Sequence, residues 1–190
     1  MSARLHSLKP GELDADQQAL YDSIAGGDRA KGTQHFPLRA PDGSLNGPFG
    51  VMLHAPGVST SLQELGATIR YRTSLTARVR EIAILMVARA VQSDFEWWAH
   101  ERVARAVGLT DVELQALAAS QFTSADPAEQ AAADLCAGLL SGKPFEDAAY
   151  AELVARLGVT AIIEVTTLVG YYRTLADLMR TFDVGVPDTE

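Results

Sequence analysis

An all-α fold is predicted, on three observations. The 190-residue chain holds 30 alanines and 22 leucines against 8 prolines, and alanine and leucine lose least on entering a helix. Apolar residues recur at helical spacing through most of the chain, and no alternating strand pattern of any length appears. Helix caps and stops punctuate the sequence. The length suits a single domain able to bury a core without staples.

The elements follow in order. Residues 1–12 read as a tail. Leu13, Leu20, Tyr21 and Ile24 predict a short helix that stops at Gly26-Gly27. Residues 26–48 form a long loop rich in Gly, Pro, Asp and Asn, a length associated with functional or mobile segments. A short apolar helix is expected over 49–55, closed by Pro56-Gly57, and another over 59–71. Residues 76–91 are apolar almost all round from Glu81 to Ala88, which marks a central helix. The next helix runs from Ser93 to Val107 and stops at Gly108. Thr110-Asp111-Val112-Glu113 is a capping box that opens a helix to about Ser120. Asp126-Pro127 opens another, ending near Gly142. Residues 146–157 form a helix ending at Gly158, and the last spans about 160–182. The chain divides into an extension, 1–48, and a helical domain, 49–190. Glutamates inside apolar helices at Glu81 and Glu164 suggest a faint repeat of helical hairpins.

Composition excludes several function classes. Cys136 is the one cysteine, so an intramolecular disulfide, a CxxC motif and a zinc-cysteine site are ruled out. A net charge of −8 argues against a nucleic-acid surface. No apolar run approaches the roughly 20 residues of a membrane span, so none is expected. Residues 1–11 lack the apolar stretch of a signal peptide, and the expected setting is cytoplasmic.

The chemistry points to one segment. Glu81 sits in the most apolar helix, where a carboxylate is costly to bury without partners. Ser93, Glu96 and His100 follow at spacings of three and four, which places them on one helix face. A carboxylate beside an imidazole tunes it and selects its tautomer. With Glu81 on the neighbouring helix, the set can carry protons. Blander readings exist for each residue. Ser93-x-x-Glu96 is also a capping box, Glu81 can pair with Arg78 or Arg105, and a helix histidine is often a satisfied core residue. Of Trp97 and Trp98, one is expected in the core and the other at a pocket or subunit contact. His54 is a candidate for the pocket or the surface. Arg70, Arg72, Arg78 and Arg80 form either a solvated helix end or an anion-binding edge. Cys136 reads as a buried small hydrophobe. The donor set does not argue for a metal, and no phosphate-binding loop is present.

Arg80-Glu81-Ile82, then Glu96, His100 and Gly108-Leu109-Thr110 with Glu113, resemble the carboxymuconolactone decarboxylase family, which includes the AhpD-like antioxidant proteins. The likeness is clearest over residues 75–117. It implies an AhpD-like helical bundle, here with a loop-rich extension, assembled as trimers or hexamers. In AhpD-like members a glutamate, two cysteines spaced CxxC and a histidine form a thiol redox centre. Those positions fall on Glu81, Ser93, Glu96 and His100 here, so both cysteines are absent. A serine and a glutamate cannot form the disulfide of that chemistry. In the decarboxylase branch a glutamate occupies the second position, as Glu96 does. The resemblance therefore implies a cofactor-free lyase acting on a small carboxylated or lactone substrate, in the chemistry of aromatic degradation. Glu81, Glu96 and His100 are the expected catalytic set. His100 serves as acid or electrostatic stabiliser, Glu96 orients it and Glu81 completes the relay. Ser93, Trp97, His54 and Arg80 are expected to contact substrate. No metal and no cofactor are expected. The alternatives are a peroxiredoxin-related antioxidant role and a non-enzymatic, ligand-binding oligomer.

Overall fold

The computed structural model describes residues 4–31 and 33–187. The first three residues of the expected tail, Gly32 of the loop and residues 188–190 lie outside the described residues. The expected all-α fold is observed, and among the described residues there is no strand, only a lone antiparallel bridge between Arg39 and Leu45.

Eight α-helices are found among the described residues. Helix α1 (Ala15–Ala25) is capped reciprocally by Asp14 and Gln17, and a 3-10 turn follows at Asp28–Ala30. Helix α2 (Pro48–Met52) is short. Helix α3 (Pro56–Tyr71) begins at Pro56 itself. The sequence reading treats that proline only as a stop, yet a proline fits the first helical position, whose N–H has no helical partner. Helices α4 (Ala77–Ala90) and α5 (Asp94–Ala106) form a hairpin, with Thr76 and Ser93 as their N-caps. Helix α6 (Asp111–Ala118) carries the expected Thr110–Glu113 capping box. Helix α7 (Pro127–Ser141) ends at the left-handed Gly142. Helix α8 runs Asp147–Phe182, broken at Gly158, where φ is 75° and ψ 160°. The expected end of one helix and start of the next are therefore observed, as two helical segments of α8 that meet at a kink on Gly158.

Helix α4 is the centre, packed against α5, α7 and α8. Its residues Ile82, Ala83, Ile84 and Leu85 are fully enclosed, as its all-round apolar pattern requires. Helix α8 is long and apolar enough, by length and composition alone, to cross a membrane, although polar and charged residues interrupt its apolar runs. Its second half buries Leu168, Val169, Tyr171, Tyr172 and Leu175 in the protein core. Val159 and Ile163 remain exposed.

The extension is not an appendage. Leu20 and Ile24 of α1 belong to the same core cluster as α4 and α8 residues. The loop after it is tied down: Tyr21 Oη donates to the Gly43 carbonyl at 2.8 Å, and Asp42 accepts from the Ser44 backbone and hydroxyl. Gly47 turns the chain into α2 at φ 62°, with the Phe95 ring lying where a Cβ would stand. Only glycine meets both demands.

Arg78 holds the other side of the bundle. Its guanidinium donates to Glu129 and Glu113, each at 2.6 Å, and to the Gly108 carbonyl at 2.6 Å. These hydrogen-bonded carboxylates keep the guanidinium charged, and the arginine and backbone donors hold Glu113 and Glu129 below the usual carboxylate range. The expected pairing of Glu81 with Arg78 or Arg105 is not found, because Arg78 is engaged here and Arg105 pairs with Glu101 and Asp111. Glu164 has a different task from Glu81: it accepts from the Ser74 N–H and hydroxyl at the turn before α4. Replacing Arg78 by Ala leaves Glu129, a buried carboxylate, without its cation. Discounted for partial exposure, the expected loss is about 2–4 kcal/mol in chemical denaturation. A loss below about 0.5 kcal/mol, the size of an ordinary surface change, would refute this view of the network.

Candidate functional site

The α4–α5 hairpin brings Glu81 and His100 face to face. Both are buried, at 1% and 4% exposure. His100 Nδ1 lies 2.6 Å from Glu81 Oε2. Burial pushes the Glu81 carboxyl up, but His100, Arg70 and Arg80 together outweigh it and hold the group below its ordinary value. Glu81 is therefore an ionised acceptor. Nδ1 must donate the proton, which fixes the ring and leaves Nε2 for other work. The edge of the Tyr172 ring meets the imidazole at 5.1 Å between centroids.

Glu96, one turn before His100 on α5, places Oε2 3.5 Å from His100 Nε2. That is too long for a good hydrogen bond. Its other oxygen, Oε1, is buried and has no hydrogen-bond partner. Burial raises the Glu96 carboxyl to about 7, and Glu81 adds to this, while His100, Arg29 and Arg70 pull the other way. Near neutrality Glu96 both holds and releases a proton.

This group opens on a cavity of about 300 Å³. Aromatic side chains of Phe36, Phe49, Phe95, Tyr71, Tyr171 and Tyr172 line it, together with Arg29, Arg70 and Arg80. Among the described residues none of these three arginines has an ion-pair partner within 4 Å, and Arg80 Nε and Arg29 Nη2 are buried without hydrogen-bond partners. Three guanidiniums against Glu81 and a half-titrated Glu96 leave the cavity positive, inside a protein of net charge −8. Such a pocket concentrates anions.

The structure brings Glu96, His100 and Arg80 to this cavity and sets Glu81 behind His100, on its Nδ1. It exchanges the expected roles of the two glutamates: Glu81 makes the short orienting bond, and Glu96 faces the open space. Three residues expected at the substrate lie elsewhere. Ser93 caps α5, its Oγ accepting from the Glu96 N–H at 3.4 Å, and the Glu96 side chain does not return to complete the box. Trp97 packs beside the cluster of Ile82, Leu85 and Leu114. Trp98 packs against Phe36 and Phe95, with Arg102 over its face. His54 Nε2 lies 3.1 Å from the His6 carbonyl, and the two imidazoles meet edge to face. Of the arginine cluster, Arg70 and Arg80 reach the cavity and Arg78 does not. Sequence reasoning missed Arg29, Gln63 and Tyr171, which only the tertiary fold brings together. The Tyr171-Tyr172 pair, two adjacent aromatics after the aliphatic run of α8, is the available signal.

No metal-holding group of three or more His, Cys, Asp or Glu side chains occurs among the described residues. Cys136 is fully buried in α7, and desolvation raises its thiol to about 12.

The model of the carboxymuconolactone decarboxylase family matches residues 56–137, which include Glu81, Glu96 and His100. The fold is similar to that of a protein of unknown function from Agrobacterium tumefaciens, suggested to be an AhpD antioxidant defence protein. The TM-score is 0.64 and the identity 17%, over 73% of this chain and 96% of the other. It is also similar to the debrominase Bmp8, solved as a cysteine-to-alanine variant in complex with 2,3,4-tribromopyrrole. There the TM-score is 0.70 and the identity 13%, over 98% of this chain and 93% of the other. At these identities the likeness is one of fold. A search of curated proteins gives no match.

The raised Glu96 carboxyl makes stability depend on pH. The folded protein holds this proton up to about 7, whereas the unfolded chain releases it near 4.5. The contribution is therefore full below 4.5 and is lost as pH rises through 7. Glu96→Gln removes it. Relative to the wild type, the variant should gain roughly 3 kcal/mol between about pH 4.5 and pH 8 in urea denaturation. Parallel pH profiles for the two proteins would show that Glu96 titrates normally.

Proposed function

We propose that the chain, whose residues 56–137 match the model of the carboxymuconolactone decarboxylase family, is a cofactor-free lyase that decarboxylates a small carboxylated or lactone substrate. The observation that carries this reading is the buried Glu81–His100 pair beside a near-neutral, unpartnered Glu96 at a cationic, aromatic cavity. The cavity is of the volume that single-ring compounds use. The tribromopyrrole held by the debrominase neighbour supports that size class.

The chemistry follows from the geometry. The bond between ring carbon and carboxylate breaks, CO₂ leaves, and the electron pair delocalises into the ring carbonyl. A proton must then reach carbon. Glu96, protonated about half the time near neutrality, delivers it from Oε1, and solvent restores it. As an imidazolium, donating from Nδ1 to Glu81, His100 turns its Nε2–H toward Glu96 and stabilises the glutamate's charge. Arg70 and Arg80 offset the negative charge that develops on the ring.

The antioxidant alternative lacks a thiolate. Ser93 and Glu96 stand where the redox cysteines would, and Cys136 is buried with its thiol raised to about 12. The remaining alternative is ligand binding without turnover.

Alanine at His100 should lower kcat on a lactone acid by about 10²–10⁴-fold, the usual worth of a positioned acid–base group, with the circular dichroism spectrum unchanged. Turnover at the wild-type rate would remove His100 from the mechanism. Glu81→Gln should cost nearly as much, since the wrong imidazole tautomer is then tolerated.

The homo-oligomer remains a proposal. Val159 and Ile163 expose apolar surface on α8, at 52% and 60% exposure, suited to burial against another copy. Light scattering after gel filtration should show a trimer or hexamer that Ile163→Lys dissociates. A monomeric wild type would refute the assembly.

A further inference from the structure

Arg29 belongs to the extension, outside the segment that carries the family motif, yet its side chain ends inside the cavity. Three contacts set it there. Its Nε donates to Gln63 Oε1 on α3 at 3.1 Å. Its guanidinium carbon lies 4.9 Å from the Phe49 ring centroid, so one face is stacked. Gly66 on α3 leaves the room, since a Cβ there would stand 2.7 Å from Arg29 Nη2 and 2.1 Å from Tyr171 Oη. Both atoms thus end over the same glycine.

The fold orders this pair and leaves it unused. Arg29 Nη2 and Tyr171 Oη are each buried and interact with one another, but no bond of full hydrogen-bond geometry satisfies either atom. Tyr171 is 4% exposed and lines the cavity. Burial of Tyr171 raises its phenol above the ordinary value, so it stays a donor. A buried guanidinium N–H and a buried phenol O–H without acceptors are costly to maintain. The group that satisfies both at once is an oxyanion, and a carboxylate matches the fork of an arginine best. Glu96 Oε1 does not supply it, being itself unpartnered. Aromatic rings on the surrounding wall favour a flat body behind the anion.

We infer that Arg29 Nη2 and Tyr171 Oη, positioned by Gln63, Phe49 and Gly66, form the seat for the carboxylate of a monocyclic organic acid. The seat rests on the reading that this cavity is the reaction site, and it names what that cavity selects. It also gives the extension a role: Arg29 supplies the charge that separates acids from neutral rings of the same shape. The seat belongs to an acid group retained through the reaction. A salt bridge to the group that is lost would stabilise the ground state and slow its departure.

Isothermal titration calorimetry on the full chain tests the seat without turnover, using benzoate and its neutral twin benzamide. The wild type should bind benzoate at least about tenfold more tightly than benzamide, as a charge-assisted bond requires. Arg29→Gln should erase that preference, leaving benzamide within about twofold. Tyr171→Phe removes one hydroxyl and should weaken benzoate by about three- to tenfold, and it carries the test if Arg29→Gln fails to fold. Equal binding of the two probes by the wild type, or unchanged benzoate affinity in Tyr171→Phe, overturns the seat. So does the absence of benzoate binding. If benzoate binds through Arg29 but no lactone acid is turned over, the lyase reading fails and the seat stands. If acids are decarboxylated while benzoate and benzamide bind alike, the seat fails and the lyase reading stands.

Discussion

The short hydrogen bond between Glu81 and His100 governs the rest of the site. Neither residue tolerates burial alone: an isolated carboxylate in the core of α4 would take up a proton, and an isolated imidazole would have no fixed tautomer. Paired at 2.6 Å, each satisfies the other. The pair demands that α4 and α5 pack closely enough for side chains from both to meet, which the tight turn at Val91–Ser93 and the Ser93 cap secure. It also fixes where Nε2 points, and hence where Glu96 and the cavity must lie.

A second constraint follows from the charges. The buried Glu81 carboxylate is stabilised by Arg70 and Arg80 as well as by His100. Arg70 and Arg80 act on Glu81 through their charge and not by contact, and both also line the cavity. The cavity therefore inherits its positive character from the need to keep Glu81 ionised. Arg29 adds to that field from a different part of the chain. The extension contributes walls as well as charge, since Phe36 and Leu38 line the cavity while Leu20 and Ile24 anchor the preceding helix in the core. The shared core makes removal of the extension a change to the site itself.

What could be read from the sequence was local. Glu96 and His100 are four apart on one helix, and helical geometry alone places them side by side. Glu81 stands out because it interrupts an apolar helix, and the Thr110–Glu113 box and the Gly158 break are written in consecutive residues. The relative roles of the two glutamates were not legible. They depend on which oxygen meets which imidazole nitrogen across a helix pair. Ser93 shares the face of Glu96 and His100, but its hydroxyl is consumed by the helix end it caps. Trp97 and Trp98 are successive residues on a helix and diverge from each other, one toward α6 and one toward Phe36. The Arg29–Tyr171 pairing joins residues 142 positions apart through a glycine on a third helix, and no spacing rule reaches that far.

The exchange of thiol for carboxylate at Glu96 connects these observations. The position beside His100 Nε2 requires a group whose proton is labile near neutrality. A thiol meets that requirement, and so does a carboxyl whose affinity for protons is raised by burial, as that of Glu96 is. The two differ in what they do after losing the proton. A thiolate attacks and forms bonds to sulfur, whereas a carboxylate in this setting waits to be reprotonated. With a carboxyl at Glu96 no second thiol is needed one turn earlier, and the hydroxyl of Ser93 is left to cap the helix. The oriented histidine remains useful in both cases, because as an imidazolium it turns Nε2–H toward whichever anion appears beside it. Under the proposed function, a carboxyl at Glu96 and a hydroxyl at Ser93 suit the Glu81–His100 frame to proton transfer, where two thiols would suit it to redox chemistry.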